Sequence, residues 1–99
     1  MNRQTPKEKK LAMYQAILEL KDIDECCDFF EDLCAMAELR SMEQRFEVAM
    51  MLSDDCVYSE IEKKTSASSA TISRVKRMLH YGTGCMGRII ERMKPEKES

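Results

Sequence analysis

The sequence predicts an all-α fold of about six helices that includes a helix-turn-helix unit. Three observations carry this. Apolar residues recur along most of the chain at helical spacing rather than in the alternation of strands. Only three Gly and two Pro occur in 99 residues, and Gly82, Gly84 and Pro95 fall at the ends of periodic runs. The composition, 43% hydrophobic and 34% charged, suits a folded helical chain and argues against disorder. A length of 99 residues suits a single domain spanning 1–99, near the lower end of what buries a core alone.

Thr5-Pro6-Lys7-Glu8 reads as a capping box with proline at the first helical position, and Leu11, Tyr14, Ile17 and Leu18 continue as one apolar stripe. A first helix is therefore expected over about 6–21. Asp24 is expected to cap a second, with Cys26, Cys27, Phe29, Phe30 and Leu33 as its buried face. Ser41-Met42-Glu43-Gln44 resembles another capping box, yet Leu39, Met42, Phe46, Ala49 and Met50 keep the helical period straight through it. Periodicity outranks one local cap signal, so a continuous helix over about 36–52 is expected. "SDDCVY" is a polar turn and "SEIEKKT" a short helix centred on Ile61. After a turn of about four residues comes the helix within "SASSATISRVKRML", ended by "HYGTG"; a last helix, "CMGRIIERM", stops before Pro95. Nine methionines and the long apolar stripes predict that helices bury faces against a second copy of the chain.

Several function classes are disfavoured. No apolar run approaches the roughly 18 residues of a membrane span. The start, "MNRQTPKEKK", has no hydrophobic stretch after its charges, so the chain is expected in the cytoplasm. Five cysteines cannot all pair internally, no C-x-x-C occurs, and Cys56, His80 and Cys85 match no usual zinc spacing. Neither a metal nor a cofactor is expected, and the cysteines read as small hydrophobes. One His, no nucleotide loop and no paired nucleophile and base give an enzyme no support.

Charge is distributed in blocks. Residues 19–62 hold fourteen acids against three bases, whereas residues 63–94 hold eight Lys/Arg against Glu91 alone. The formal net charge of -2 conceals this division, and binding depends on the local field. A basic block of this kind is the footprint of a phosphate-binding surface; the plainer alternative is neutralisation by the acidic block.

Within the basic block, "YSEIEKKTSASSATISRVKR" has the layout of a helix-turn-helix, placed here at 58–78. Ile61, Ala67, Ile72 and Val75 lock two helices together, and the second presents Ser69, Ala70, Ser73 and Arg77 outward. Small residues at its start, Ser68 to Thr71, let the backbone approach base edges, and the helix dipole there favours phosphate. Arg77 is positioned to reach guanine, a contact worth roughly 1–3 kcal/mol of discrimination if bidentate. Lys63, Lys64 and Lys76 suit phosphate contacts, which fix register without reading sequence. Two departures stand out: Ser66 occupies the turn position where many such units place Gly, and Glu62 occupies an inward position usually given to a small residue. The plainer alternative is an αα-hairpin with a solvated basic face.

"FFEDLCAMAELRSMEQRFEVAMML" followed by "YSEIEKKTSASSATISRVKRMLHYG", with "SATISRV" as the most specific segment, resembles the Trp repressor superfamily and, within it, the small YerC/YecD branch. The resemblance covers about residues 8–93. It implies an intertwined all-helical dimer whose two reading helices enter successive major grooves of a palindromic operator. It also implies a candidate ligand pocket: Arg45 and Arg74 match the arginines that flank the indole in the tryptophan-binding repressor, and Thr71 matches its pocket threonine. Val75 stands where that repressor has glycine and Ala35 where it has threonine, so a tryptophan corepressor is not expected. Salt bridges to the acidic block, or phosphate contacts, are the plainer account of Arg45 and Arg74. The expectation is a homodimeric, sequence-specific DNA-binding repressor that works through DNA-facing Lys63, Lys64, Ser68, Ser69, Ala70, Thr71, Ser73, Arg74, Lys76 and Arg77. The competing expectation is a protein-interaction adaptor that docks a basic partner on the acidic 19–62 helices.

Overall fold

The computed structural model describes residues 9–95. They form six helices and, among the described residues, no strand: α1 (Leu11–Ile17), α2 (Ile23–Leu33), α3 (Met36–Ser53), α4 (Tyr58–Thr65), α5 (Ser69–Tyr81) and α6 (Cys85–Met93). Among the described residues the contacts gather into two units that divide between Leu39 and Arg40.

In the first unit, α1 is shorter than the expected 6–21. Lys10 is extended and offers no side-chain cap, and the expected capping box at Thr5–Glu8 lies outside the described residues. At the other end, Glu19 N–H bonds Ala16 O and Leu20 N–H bonds Ile17 O, a tightening to i→i+3 bonds that closes the helix. The cap of α2 is Asp22, not Asp24. Its carboxylate accepts from Glu25 N at 2.8 Å, while Glu25 Oε1 accepts from Lys21 N at 2.9 Å. Asp22 is followed three residues later by Glu25, which can reciprocate; Asp24 is followed by Cys27, which cannot. The face expected to be buried on α2 is only half-buried at Cys26, Phe29 and Phe30, and Cys27 and Leu33 are exposed.

Helix α3 runs unbroken through Ser41, as its period requires, and starts where Glu38 Oε1 accepts from Ala35 N at 2.7 Å. Its end is a Schellman motif: Cys56 N bonds Met51 O and Asp55 N bonds Leu52 O, with Asp55 at φ 62 in the left-handed position. This is the polar turn expected from "SDDCVY".

The second unit closes a core. Val48 and Ala49 of α3, Ile61 of α4, Ala67 of the turn, Ile72 and Val75 of α5 and Ile90 of α6 are all buried, with Phe46, Met51, Leu52, Cys56, Tyr58, Leu79 and Met86 packed around them. Gly82 ends α5 by close approach: a Cβ there would lie 2.6 Å from Met78 O. Gly84, at φ 87, opens α6, which stops at Met93 because Lys94 precedes Pro95 and adopts extended backbone.

Candidate nucleic-acid interface

The α4–turn–α5 unit is set by its own sequence. Ile61 and Thr65 share the inward face of α4, and Ile72 and Val75 that of α5. Glu62 is exposed, so its carboxylate extends to solvent beside the inward pair. Buried Thr65 organises the turn: its hydroxyl donates to Ile61 O at 2.8 Å and accepts from Ala67 N at 3.1 Å. Ser66 takes the left-handed conformation at φ 63, the turn position expected for it. Ser68 then caps α5, its Oγ accepting from Thr71 N at 3.1 Å and donating to Thr71 Oγ1 at 3.2 Å.

The face of α5 opposite the core carries Ala70, Ser73, Arg74 and Arg77. With Met78, Tyr81 and Gly82 they line an open groove of about 670 Å³. Ser69 is exposed beside them, and Thr71 is half-buried with its amide and hydroxyl engaged in the cap. Lys76 is turned away from this face: its Nζ lies 5.9 Å from the centre of the Tyr58 ring, over the start of α4. Lys63 and Lys64 are exposed in the last turn of α4. The basic groups thus fall into a central pair, Arg74 and Arg77, and flanking lysines.

Of the three pocket candidates, Thr71 and Arg74 lie on α5 and Arg45 is exposed on α3. The groove lined by Arg74 includes neither Arg45 nor Thr71, and Val75 is fully buried in the core. Among the described residues Arg45 and Arg74 make no ion pair, so the expected bridges to acidic groups are absent there; the pairs present join Lys94 to Asp54 at 3.3 Å and to Glu91 at 3.6 Å. The hydrogen bond to Asp54 holds the Lys94 ammonium above its ordinary pKa. Burial, reinforced by Glu60 and Asp54, likewise pushes the Cys56 thiol up. No group of three His, Cys, Asp or Glu among the described residues is placed to hold a metal, and no described helix is long and apolar enough to cross a membrane.

Sequence reasoning missed three residues of this region. Tyr81 lies four positions beyond Arg77 and eight beyond Ser73, so helical spacing alone placed it on the outward face. Tyr58 under Lys76, and Gln44, whose Nε2 donates to Thr65 O at 3.1 Å, depend on contacts between helices. Neither had a local signal.

A short helix, a left-handed turn and a capped basic helix together form a helix-turn-helix unit. The chain belongs to the Trp repressor protein family, whose profile matches residues 8–94. It is 49% identical over 82 residues to the uncharacterized protein YerC of Bacillus subtilis, covering 83% of this chain and 79% of that one. A TrpR-like protein of Eubacterium eligens superposes with a TM-score of 0.84 at 48% identity, covering 95% of this chain and 100% of its own. A Trp repressor candidate from Staphylococcus aureus gives 0.85 at 40% identity, covering 98% of this chain and 100% of its own.

Proposed function

We propose that the chain is a homodimeric transcriptional repressor that binds a palindromic operator in double-stranded DNA by inserting α5 into the major groove. The observation that carries this is the outward face of α5: Ala70, Ser73, Arg74 and Arg77 stand clear of the core behind a capped N-terminus. Small residues near the helix start admit base edges, and the arginines follow one and two turns on. Arg77 reads guanine, and Ser69, Ala70 and Ser73 approach the neighbouring base edges. Lys63, Lys64 and Lys76 hold phosphates on either side; Ser68 and Thr71 keep the helix N-terminus in shape for the same purpose. Apolar residues left open on α1 and α2 supply the contact with the second copy, which sets two reading helices one turn of duplex apart.

The repressor acts without tryptophan. Val75 fills its own niche in the core, and Ala35 supplies no hydroxyl for an amino acid's backbone groups. Like the rest of its family the chain is read as a regulator rather than a catalyst, and it works in the cytoplasm, where the DNA is.

Duplexes selected from a random pool by the purified chain, followed by fluorescence anisotropy, test the proposal. Binding of the selected duplex should fall log-linearly with salt, by about 10³-fold or more between 50 and 200 mM if six or more phosphates are engaged. Arg77→Ala should flatten base preference at one position of each half-site, and added tryptophan should leave the curve unmoved. A chain that selects no duplex at low salt is not a repressor, and the acidic helices then become the surface to explore.

A further inference from the structure

We infer that Gln44 is a positioning residue for sequence reading: from α3 its amide holds the turn that sets the pose of α5. The inference rests on the DNA-binding reading above and adds a residue outside the helix-turn-helix itself. Three polar groups of the turn need partners, because Thr65 is the last residue of α4 and Ala67 is buried. Ser66 N–H returns to Glu62 O, and Ala67 N–H is taken by the Thr65 hydroxyl. The Thr65 carbonyl faces out of the finished helix and receives Gln44 Nε2 at 3.1 Å, in a half-buried setting and across 21 residues of sequence. Of these bonds, only Gln44's ties the turn to another element. The others are local, and local bonds fix the shape of a turn without fixing where it sits.

The turn is a sensitive place for such an anchor. Ser66 holds left-handed backbone without glycine's freedom, a conformation that persists only where its surroundings over-determine it. Ser68, two residues on, is the cap from which α5 departs, so a tilt of the turn is a tilt of the whole reading helix. Base contacts tolerate only small errors of distance and angle, whereas phosphate attraction is long-ranged and forgiving. Gln44 therefore governs discrimination between sequences more than total affinity.

The test uses the full chain and two duplexes of equal length, one selected by the wild type and one scrambled, at a single salt concentration. Gln44→Met keeps the side chain's bulk and removes its donor. Its affinity for the selected duplex should fall about tenfold, comparable to losing one well-made base contact, while the scrambled duplex binds within about twofold of wild type. Hydrogen exchange at the Ala67 amide should quicken in the same variant. Gln44→Glu places a carboxylate opposite a carbonyl and should lose at least as much. Relative to wild type at the same pH, it should recover discrimination on acidification, when a protonated carboxyl donates again. That recovery decides the matter even if Gln44→Met fails to fold. Wild-type discrimination in Gln44→Met, equal losses on both duplexes, or no acid recovery in Gln44→Glu overturns the positioning role while leaving DNA binding intact. Failure of the wild type itself to prefer any duplex overturns the DNA-binding reading and this inference with it.

Discussion

Residues 40–95 and residues 9–39 are both helical, yet only the former closes a core. Seven apolar residues from four helices and a turn are buried in the first case. In the second no residue of α1 or α2 is buried, Leu18 stays 85% exposed and Ile23 77%. The difference does not lie in hydrophobicity, since α1 and α2 carry Leu, Ile, Phe and Tyr in helical register. It lies in partners. Helices α4 and α5 meet across a turn of three residues, with α3 and α6 adding Val48, Ala49 and Ile90 to the same cluster. An amphipathic helix gains most of its stability from the surface its apolar face meets. The helix-turn-helix is thus a framework complete in one chain, while the apolar stripe of α1 and α2 stays open there, and we propose that a second copy covers it.

The same kind of truncation in the two regions should separate them most sharply. Ile72→Ala opens a cavity among fully buried neighbours and should cost about 2–5 kcal/mol, enough to collapse a domain of this size in a urea titration. Leu18→Ala removes an exposed side chain and should leave the dilute chain within about 0.5 kcal/mol of wild type. At high protein concentration Leu18→Ala should melt below wild type, because dimerisation stabilises by mass action. A melting temperature independent of concentration in both proteins would break the proposed link between the open stripe and a second copy.

Polar groups in the half that closes a core come next in size. Thr65→Val preserves shape but orphans the buried Ala67 N–H, so a loss of about 1–3 kcal/mol is expected by denaturant unfolding. Ser68→Ala removes the cap of α5 and should cost about 1 kcal/mol, with fraying visible as faster amide exchange at Thr71.

This contrast also governs what could be read from sequence. The buried apolar set of the helix-turn-helix, Ile61, Ala67, Ile72 and Val75, was legible because neighbours in sequence are neighbours in space there. The passage of α3 through Ser41 was legible for a related reason: a sustained period integrates many residues, whereas a cap motif rests on two. Boundaries resting on a single residue were less secure, as the shift of the α2 cap from Asp24 to Asp22 shows. Val48, Ile90 and Gln44 went unread because their roles come from contacts between helices distant in sequence. Gln44 in particular is a polar residue beside an apolar stripe, and only the position of Thr65 explains it. The pocket candidates Arg45, Thr71 and Arg74 came from family likeness rather than from any local pattern of the sequence.

The smallest expected effect concerns Ser66. Among the described residues two that are not glycine, Asp55 and Ser66, adopt left-handed backbone, and both lie in the half that closes a core. Good packing tolerates this strain. At Asp55 the Schellman bonds offset it, and at Ser66 the bonds of the Thr65 turn do so. Ser66→Gly relieves the crowding of Cβ against the backbone but frees the unfolded chain, so the two terms oppose each other. A net gain below about 1 kcal/mol is expected, seen as a rise of a few degrees in melting temperature. Sequence discrimination should not change, because Gln44 still holds the Thr65 carbonyl. If Ser66→Gly instead relaxes discrimination, the stiffness of the turn comes from Ser66 itself, and the anchor on α3 matters correspondingly less.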